Sequence, residues 1–210
     1  MTTLDDLTGE RPLTWVFVGD SIMQAARWTD GARGWVQLLE ERVRWQLGRT
    51  KDVFINNAVS GATVAELMPL YDHYVTRFAP DVVHVAYGTN ESHVSRGPVP
   101  VADYAQVLAD VADGVLKTGA LLVLHTPIDN SEAVDHECLD VAAYADAVRD
   151  VAARTGAVLV DHDAAWREQW STLPPIRWLG DRIHPNAAGH RAMADTTADA
   201  LGIGRWTPEP

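Results

Sequence analysis

The chain has 210 residues, 47% of them apolar and 22% charged, long enough for one domain with a sizeable core. Lys and Arg total 17 against 29 Asp and Glu, a formal net charge of −12, which argues against phosphate backbones and anionic lipid surfaces as main partners. The single cysteine, Cys138, excludes an intrachain disulfide, so no oxidising compartment is required. The amino terminus lacks a basic stretch followed by an apolar one, and apolar runs such as 121–124 are far too short to span a bilayer. A soluble, cytoplasmic protein that binds neither nucleic acid nor membrane is the expectation.

Apolar runs at 15–18, 53–55, 82–86, 121–124 and 158–160 are β-branched or aliphatic and mostly continuous, as parallel strands covered on both faces should be. After the first comes Gly19-Asp20-Ser21. Trp35, Leu38, Leu39, Val43 and Leu47 then share one helical face, with Gly48 as the stop. The second run is followed by Asn57-Ala58-Val59-Ser60-Gly61 and the third by Gly88-Thr89-Asn90. The segment 92–100, with Gly97, Pro98 and Pro100, reads as a loop. Tyr104, Val107, Leu108, Val111 and Val115 mark the next helix. A loop follows at 127–136, and then Val141, Tyr144, Ala145, Val148 and Ala152 form a helix ended by Gly156. Near the end comes Asp181-Arg182-Ile183-His184-Pro185, and Asn186 is a good N-cap for a last helix over 187–201. The tail 202–210 is expected to be irregular, with Trp206 pinning it. This alternation predicts an α/β fold, one domain over 1–210, with three layers around a five-stranded parallel sheet and right-handed crossovers. The active site of such a sheet lies past the carboxyl ends of its strands.

The four polar blocks all fall at that end. Each alone is weak, since Gly-Asp-Ser is a common turn and Asp-x-x-His arises by chance. Together and in this order they resemble the SGNH (GDSL) hydrolase family, named for the serine, glycine, asparagine and histidine of its blocks. The matching positions are Ser21, Gly61, Asn90 and His184, and the resemblance runs from Val16 to about Met193. It implies a flavodoxin-like sheet and hydrolysis of a carboxylic ester through an acyl-enzyme on Ser21. His184 would be the base and Asp181 its orienting carboxylate. The oxyanion donors would be the N–H groups of Ser21 and Gly61 and the Asn90 amide.

Elementary chemistry is consistent with these roles. A serine hydroxyl is a poor nucleophile at neutral pH and needs an adjacent base. Ser21 opens a helix, whose N-terminus offers free N–H groups and a partial positive charge to an oxyanion. Gly61 lets its N–H approach a substrate closely, and Asn90 has a side-chain donor. Pro185 disfavours a helical conformation at His184, so 181–184 is expected as a loop that turns Asp181 and His184 the same way. No metal or organic cofactor is needed. Asp129, Asp135 and His136 lack metal-ligand spacing.

One departure from the family pattern is Glu91, where many relatives carry aspartate; it is expected to alter the support of its loop. Met23 and Trp28 are candidates for an acyl pocket or for core packing. His84 is expected in the core, His125 is a candidate to face the site, and His93 and Trp178 are candidates for the substrate entrance and a substrate wall. The polar covering loops favour a short acyl group or an O-acetyl ester. A thioesterase, a lysophospholipase and a carbohydrate O-deacetylase use the same machinery. A non-catalytic binding module would keep the fold. A flavin or nucleotide binder is disfavoured because no Gly-x-Gly-x-x-Gly turn follows the first strand. Acyl part, alcohol part and oligomeric state are not legible, since substrate contacts lie in variable loops.

Overall fold

The computed structural model describes residues 1–25, 27–128, 140–170 and 175–207. Strands β1 (Thr14–Gly19), β2 (Val53–Asn56), β3 (Val82–Ala86), β4 (Leu121–His125) and β5 (Val158–Val160) form one sheet in the order β2-β1-β3-β4-β5. Every neighbouring pair is parallel. The described helices are α1 (Ser21–Gln24), α2 (Trp35–Glu41), α3 (Val64–Leu67), α4 (Tyr71–Tyr74), α5 (Val101–Thr118), α6 (Val141–Thr155), α7 (His162–Trp170) and α8 (Ala187–Ala200).

Side-chain alternation along β1 builds the layers. Trp15 and Phe17 pack on one face with Trp35 and Leu39 of α2, Trp166 of α7 and Met193 of α8. Val16 and Val18 pack on the other with Val64, Tyr104, Leu108 and Val148 from α3, α5 and α6. Each face thus has its own apolar cluster, and the expected three-layer arrangement around a five-stranded parallel sheet is found. The strand at 53–55 differs from the buried run read in the sequence. It is the sheet's edge, and Val53 is 49% exposed, because among the described residues no strand lies beyond it.

The helix expected over 35–47 is present, but its last turn, Arg42–Gln46, is π-helical. Helix α5 buries Tyr104, Leu108, Val111 and Val115, the predicted stripe, and stops at Gly119. Asn186 caps α8 by accepting the N–H groups of Ala188 and Gly189. Between β2 and β3 the chain makes the one-turn helices α3 and α4 and two 3-10 turns. Such short pieces carry no periodic signal, and neither they nor α7 were legible. The segment 92–100 holds a 3-10 turn at Val94–Arg96. Trp206 does pin the tail: the Arg191 guanidinium lies 4.2 Å from its ring centroid and donates to its carbonyl. Beyond Ile128, the loop expected over 127–136 lies outside the described residues, as do Asp129, Asp135, His136 and Cys138. Among the described residues no helix is long and apolar enough to cross a membrane.

From β1 the chain goes outward to β2 and then returns across the sheet to β3. The order reverses at that point, and the carboxyl ends of β1 and β3 flank the crevice where such sheets bind ligands.

Candidate active site

Ser21 is the first residue of α1, directly beyond β1. Asp20 caps this turn, its carboxylate accepting the Ile22 N–H at 2.9 Å. Burial pushes the Asp20 carboxyl up to about 7 against the pull of that bond, with the nearby Glu91 adding to the rise. Helix α1 has four residues and ends at Ala25, whose φ is 60°. The partial charge expected from a full helix dipole is therefore reduced to the unpaired N–H groups of one turn.

The Ser21 hydroxyl lies 2.8 Å from His184 Nε2. On the other side of the ring, Nδ1 lies 2.8 Å and 3.0 Å from the two Asp181 oxygens. Asp181 Oδ1 also accepts the N–H groups of Ile183 and His184, so one carboxylate shapes the turn and orients the ring it serves. The turn is closed by the Gly180 N–H donating to the His184 carbonyl and by a bridge between Leu179 and Pro185. Burial works against the Asp181 charge, but these three donors outweigh it and hold the carboxyl below its usual range. Burial pushes His184 below 6.5, opposed by the pull of Asp181 and assisted by the Arg27 charge. The imidazole is therefore neutral at neutral pH and able to accept a proton.

Gly61 adopts φ 81°, a left-handed conformation that favours glycine. Its carbonyl accepts from Arg96 at 2.5 Å. Asn90 donates one amide hydrogen to the Ala62 carbonyl at 3.0 Å, leaving its second amide hydrogen for another acceptor. Glu91, the departure from the family pattern, is buried and accepts the Val64 N–H at 2.7 Å and the Gly88 N–H at 2.9 Å. It ties the loop after β3 to the start of α3, so the Gly61–Ala62 turn and Asn90 are fastened together. Burial raises the Glu91 carboxyl while those two bonds lower it, and burial prevails. Arg96 was not singled out from sequence, because a lone loop arginine carries no pattern.

The remaining candidates fall elsewhere. The Trp28 ring stacks on His184 with centroids 3.6 Å apart and 7° between planes. Met23 is buried in the core. His125 does not face the site. Its Nε2 lies 2.8 Å from His84 Nδ1 and its Nδ1 3.0 Å from His162 Nε2, a buried chain against Trp15, Phe17 and Trp35. His84 is the core histidine expected, with its Nε2 unpartnered among the described residues. His93 caps the turn at 94–96 by accepting the Ser95 N–H. Trp178 packs edge-on against Trp166. Beside Gly61 lies a cavity of about 230 Å³ bounded by Asn57, Ser60, Leu67, Tyr74 and Tyr87. Among the described residues no group of three or more His, Cys, Asp or Glu is arranged to hold a metal.

Comparison with known proteins bears on this arrangement. The model of the GDSL-like Lipase/Acylhydrolase family matches residues 17–192. An acetylxylan esterase of Geobacillus stearothermophilus is 28% identical over 214 residues, covering 93% of this chain and 95% of that protein. The crystal structure of an alpha/beta hydrolase enzyme from the metagenome of Lake Arreo, Spain, is similar with a TM-score of 0.82 and 26% identity, covering 94% of this chain and 98% of that one. The structure of Axe2, an acetylxylan esterase from Geobacillus stearothermophilus, has a TM-score of 0.79 and 22% identity, covering 94% and 97%. The latter likeness is one of fold.

Proposed function

The chain belongs to the GDSL-like lipase/acylhydrolase family and is a carboxylic ester hydrolase, and from this premise we propose that it removes short acyl groups, acetyl foremost, through an acyl-enzyme on Ser21. The observation that carries the reading is the relay from Ser21 Oγ through His184, 2.8 Å away, to Asp181. His184 takes the hydroxyl proton as Ser21 Oγ attacks the ester carbonyl. The Ser21 and Gly61 N–H groups and the second Asn90 amide hydrogen hold the tetrahedral oxyanion. The intermediate collapses, the carbon–alkoxy bond breaks, and His184 hands its proton to the departing alcohol. A water molecule, deprotonated by His184, then releases the acid and restores Ser21. Asp181 keeps the ring in the tautomer with hydrogen on Nδ1 and supports the imidazolium. Residues 1–210 act in this reading as one catalytic domain.

Three observations support a short acyl group. The similar Geobacillus protein is an acetylxylan esterase. The cavity beside Gly61, about 230 Å³, falls below the ~300–1,000 Å³ common for drug-sized ligands. Its lining sets Asn57, Ser60 and Glu66 among Val59, Leu67 and Leu70, so polar groups interrupt the continuous apolar trough that a long alkyl chain needs. The test is a series of p-nitrophenyl esters of increasing acyl length, with acetylated xylo-oligosaccharides and a matching thioester, assayed on wild type and Ser21→Ala. Acetyl or butyryl esters should give the highest kcat/KM, and Ser21→Ala should be inactive with its fold intact. A kcat/KM rising steadily to long chains would favour a lysophospholipase, and a thioester preference a thioesterase. Near wild-type turnover by a folded Ser21→Ala would sink the nucleophile assignment and favour a non-catalytic role for this site.

A further inference from the structure

Two hydrogen bonds fix the edges of the His184 ring, through Nε2 to Ser21 and through Nδ1 to Asp181. Neither prevents the ring from tilting out of the plane that contains its partners. Trp28, from the segment between α1 and α2, lies flat on the ring. At 3.6 Å between centroids and 7° between planes it is the closest ring pair among the described residues. The segment is braced by Thr29, which is buried and donates to the Ala32 carbonyl at 2.7 Å while its own carbonyl accepts the Ala32 N–H. Gly180 provides a second, independent sign of a built contact. A Cβ at Gly180 would lie 2.9 Å from the Trp28 carbonyl oxygen. The turn bearing Asp181 and His184 can dock on the Trp28 segment only because residue 180 has no side chain.

The groups facing His184 are the Asp181 carboxylate, the Ser21 hydroxyl, the Arg27 guanidinium and His190 from α8. Arg27 also lies over the Trp28 ring, 5.9 Å from its centroid. Of the two charged neighbours, Asp181 favours the imidazolium and Arg27 opposes it. The indole face adds a third effect, because its negative quadrupole attracts a cation stacked on it. The imidazolium exists only once the Ser21 proton has been taken, so that attraction grows towards the transition state.

We propose that Trp28 is a positioning residue for the catalytic base: it holds the His184 ring in line with Ser21 and Asp181 and stabilises the ring's protonated form. This rests on the reading of Ser21 as nucleophile and His184 as base. Trp28 acts through His184 and needs no contact with substrate. Gly180 belongs to the same device as the residue that permits the approach.

The experiment compares Trp28→Phe, Trp28→Leu and Gly180→Ala with wild type on one acetyl ester, recording kcat, KM and the pH profile of kcat/KM. His184→Ala serves as the control for the underlying reading. In parallel, the His184 imidazole is titrated by NMR in Ser21→Ala, with and without Trp28→Leu. Trp28→Leu should lower kcat roughly tenfold with KM nearly unchanged, the size of loss expected when a reacting group is slightly misplaced. The acid limb and the NMR titration should both move down by about half a pH unit, as loss of a cation–π contact implies. Trp28→Phe should restore most of the activity, and Gly180→Ala should lower kcat in the same direction as Trp28→Leu. An unmoved titration, or a change confined to KM, would overturn the proposal. The NMR arm reads the ring directly and does not depend on turnover. Full activity of His184→Ala would instead overturn the reading of the base, whatever Trp28 does.

Discussion

As the proposed general base, His184 meets two demands: it lies within hydrogen-bond reach of the Ser21 hydroxyl, and its ring is neutral at neutral pH. Burial, helped by Arg27, keeps the ring below 6.5 against the pull of Asp181. The base works when unprotonated, so kcat/KM should rise through this deprotonation and reach its plateau on the alkaline side. A pH profile with its acid limb below 6.5 is the expected result, and a midpoint above 7 would contradict it. Asp181→Asn should lower kcat, because an amide offers Nδ1 no charge and disturbs the tautomer. Asn90 holds the Ala62 carbonyl with one hydrogen, and in the proposed mechanism the other is given to the oxyanion. Asn90→Ala should therefore lower kcat with little change in KM, by about 2.7–4 kcal/mol of transition-state stabilisation. A change confined to KM would make Asn90 a ground-state binding residue.

The elements at the carboxyl edge of the sheet are short, and their mutual fastening replaces length. Helix α1 is a single turn, and α3 is another. Glu91 secures the start of α3 to the loop after β3 through the N–H groups of Val64 and Gly88. Removing it orphans two buried donors, each costing roughly 1–3 kcal/mol. Glu91→Ala should lower the denaturation midpoint and, by loosening Asn90, kcat as well. Glu91→Gln keeps one acceptor oxygen and should lose less stability; equal losses in a denaturant titration would argue against this account. Gly61 is held by the Arg96 contact to its carbonyl. A methyl group there would meet φ 81° and lie 2.9 Å from Arg96 Nη2, so Gly61→Ala should distort the oxyanion turn and depress kcat. Steady-state kinetics with circular dichroism separate this from unfolding.

Across the whole molecule, the core carries an acid liability. His84, His125 and His162 form a hydrogen-bonded chain inside it, and His190 lies nearby in α8. Burial pushes His84 and His162 down to about 3 and His190 down to about 4 from an ordinary 6.5, and lowers His125 as well. Below pH 6.5 the unfolded chain binds protons at these positions and the folded one does not, so stability falls as pH falls from 6.5 towards 3. Asp20, pushed up to about 7, and Glu91 act in the opposite sense, stabilising the fold as pH drops. Four histidines outweigh two carboxyls. At pH 5 each fully shifted histidine represents about 2 kcal/mol of lost stability. Urea midpoints should decline from pH 7 to pH 4.5, and His125→Phe should flatten that decline. A midpoint independent of pH over this range would contradict the argument.

The candidate site residues were legible in the chain because Ser21, Gly61 and Asn90 fall in the turns that follow the first three strand runs, and these blocks, with Asp181 and His184 ahead of the last helix, resemble one family in their order. Turn chemistry and the parallel topology bring Ser21, Gly61 and Asn90 to one edge, whereas the turn of Asp181 and His184 reaches it through contacts made in three dimensions. The three layers and the stripe of α5 were legible because burial follows the periods of strand and helix. What only the tertiary structure decided are contacts between segments with no common pattern. In the sequence Trp28 is a candidate for a pocket or for core packing, and its stack on His184, with Gly180 letting two distant segments meet, is set by the tertiary structure. His125 read as a possible site residue, yet strand register sets it between His84 and His162. Arg96 holds the Gly61 carbonyl and Glu91 the Val64 N–H, across 35 and 27 residues of chain. Such pairings depend on the three-dimensional path between elements, and neither residue type nor spacing encodes them singly.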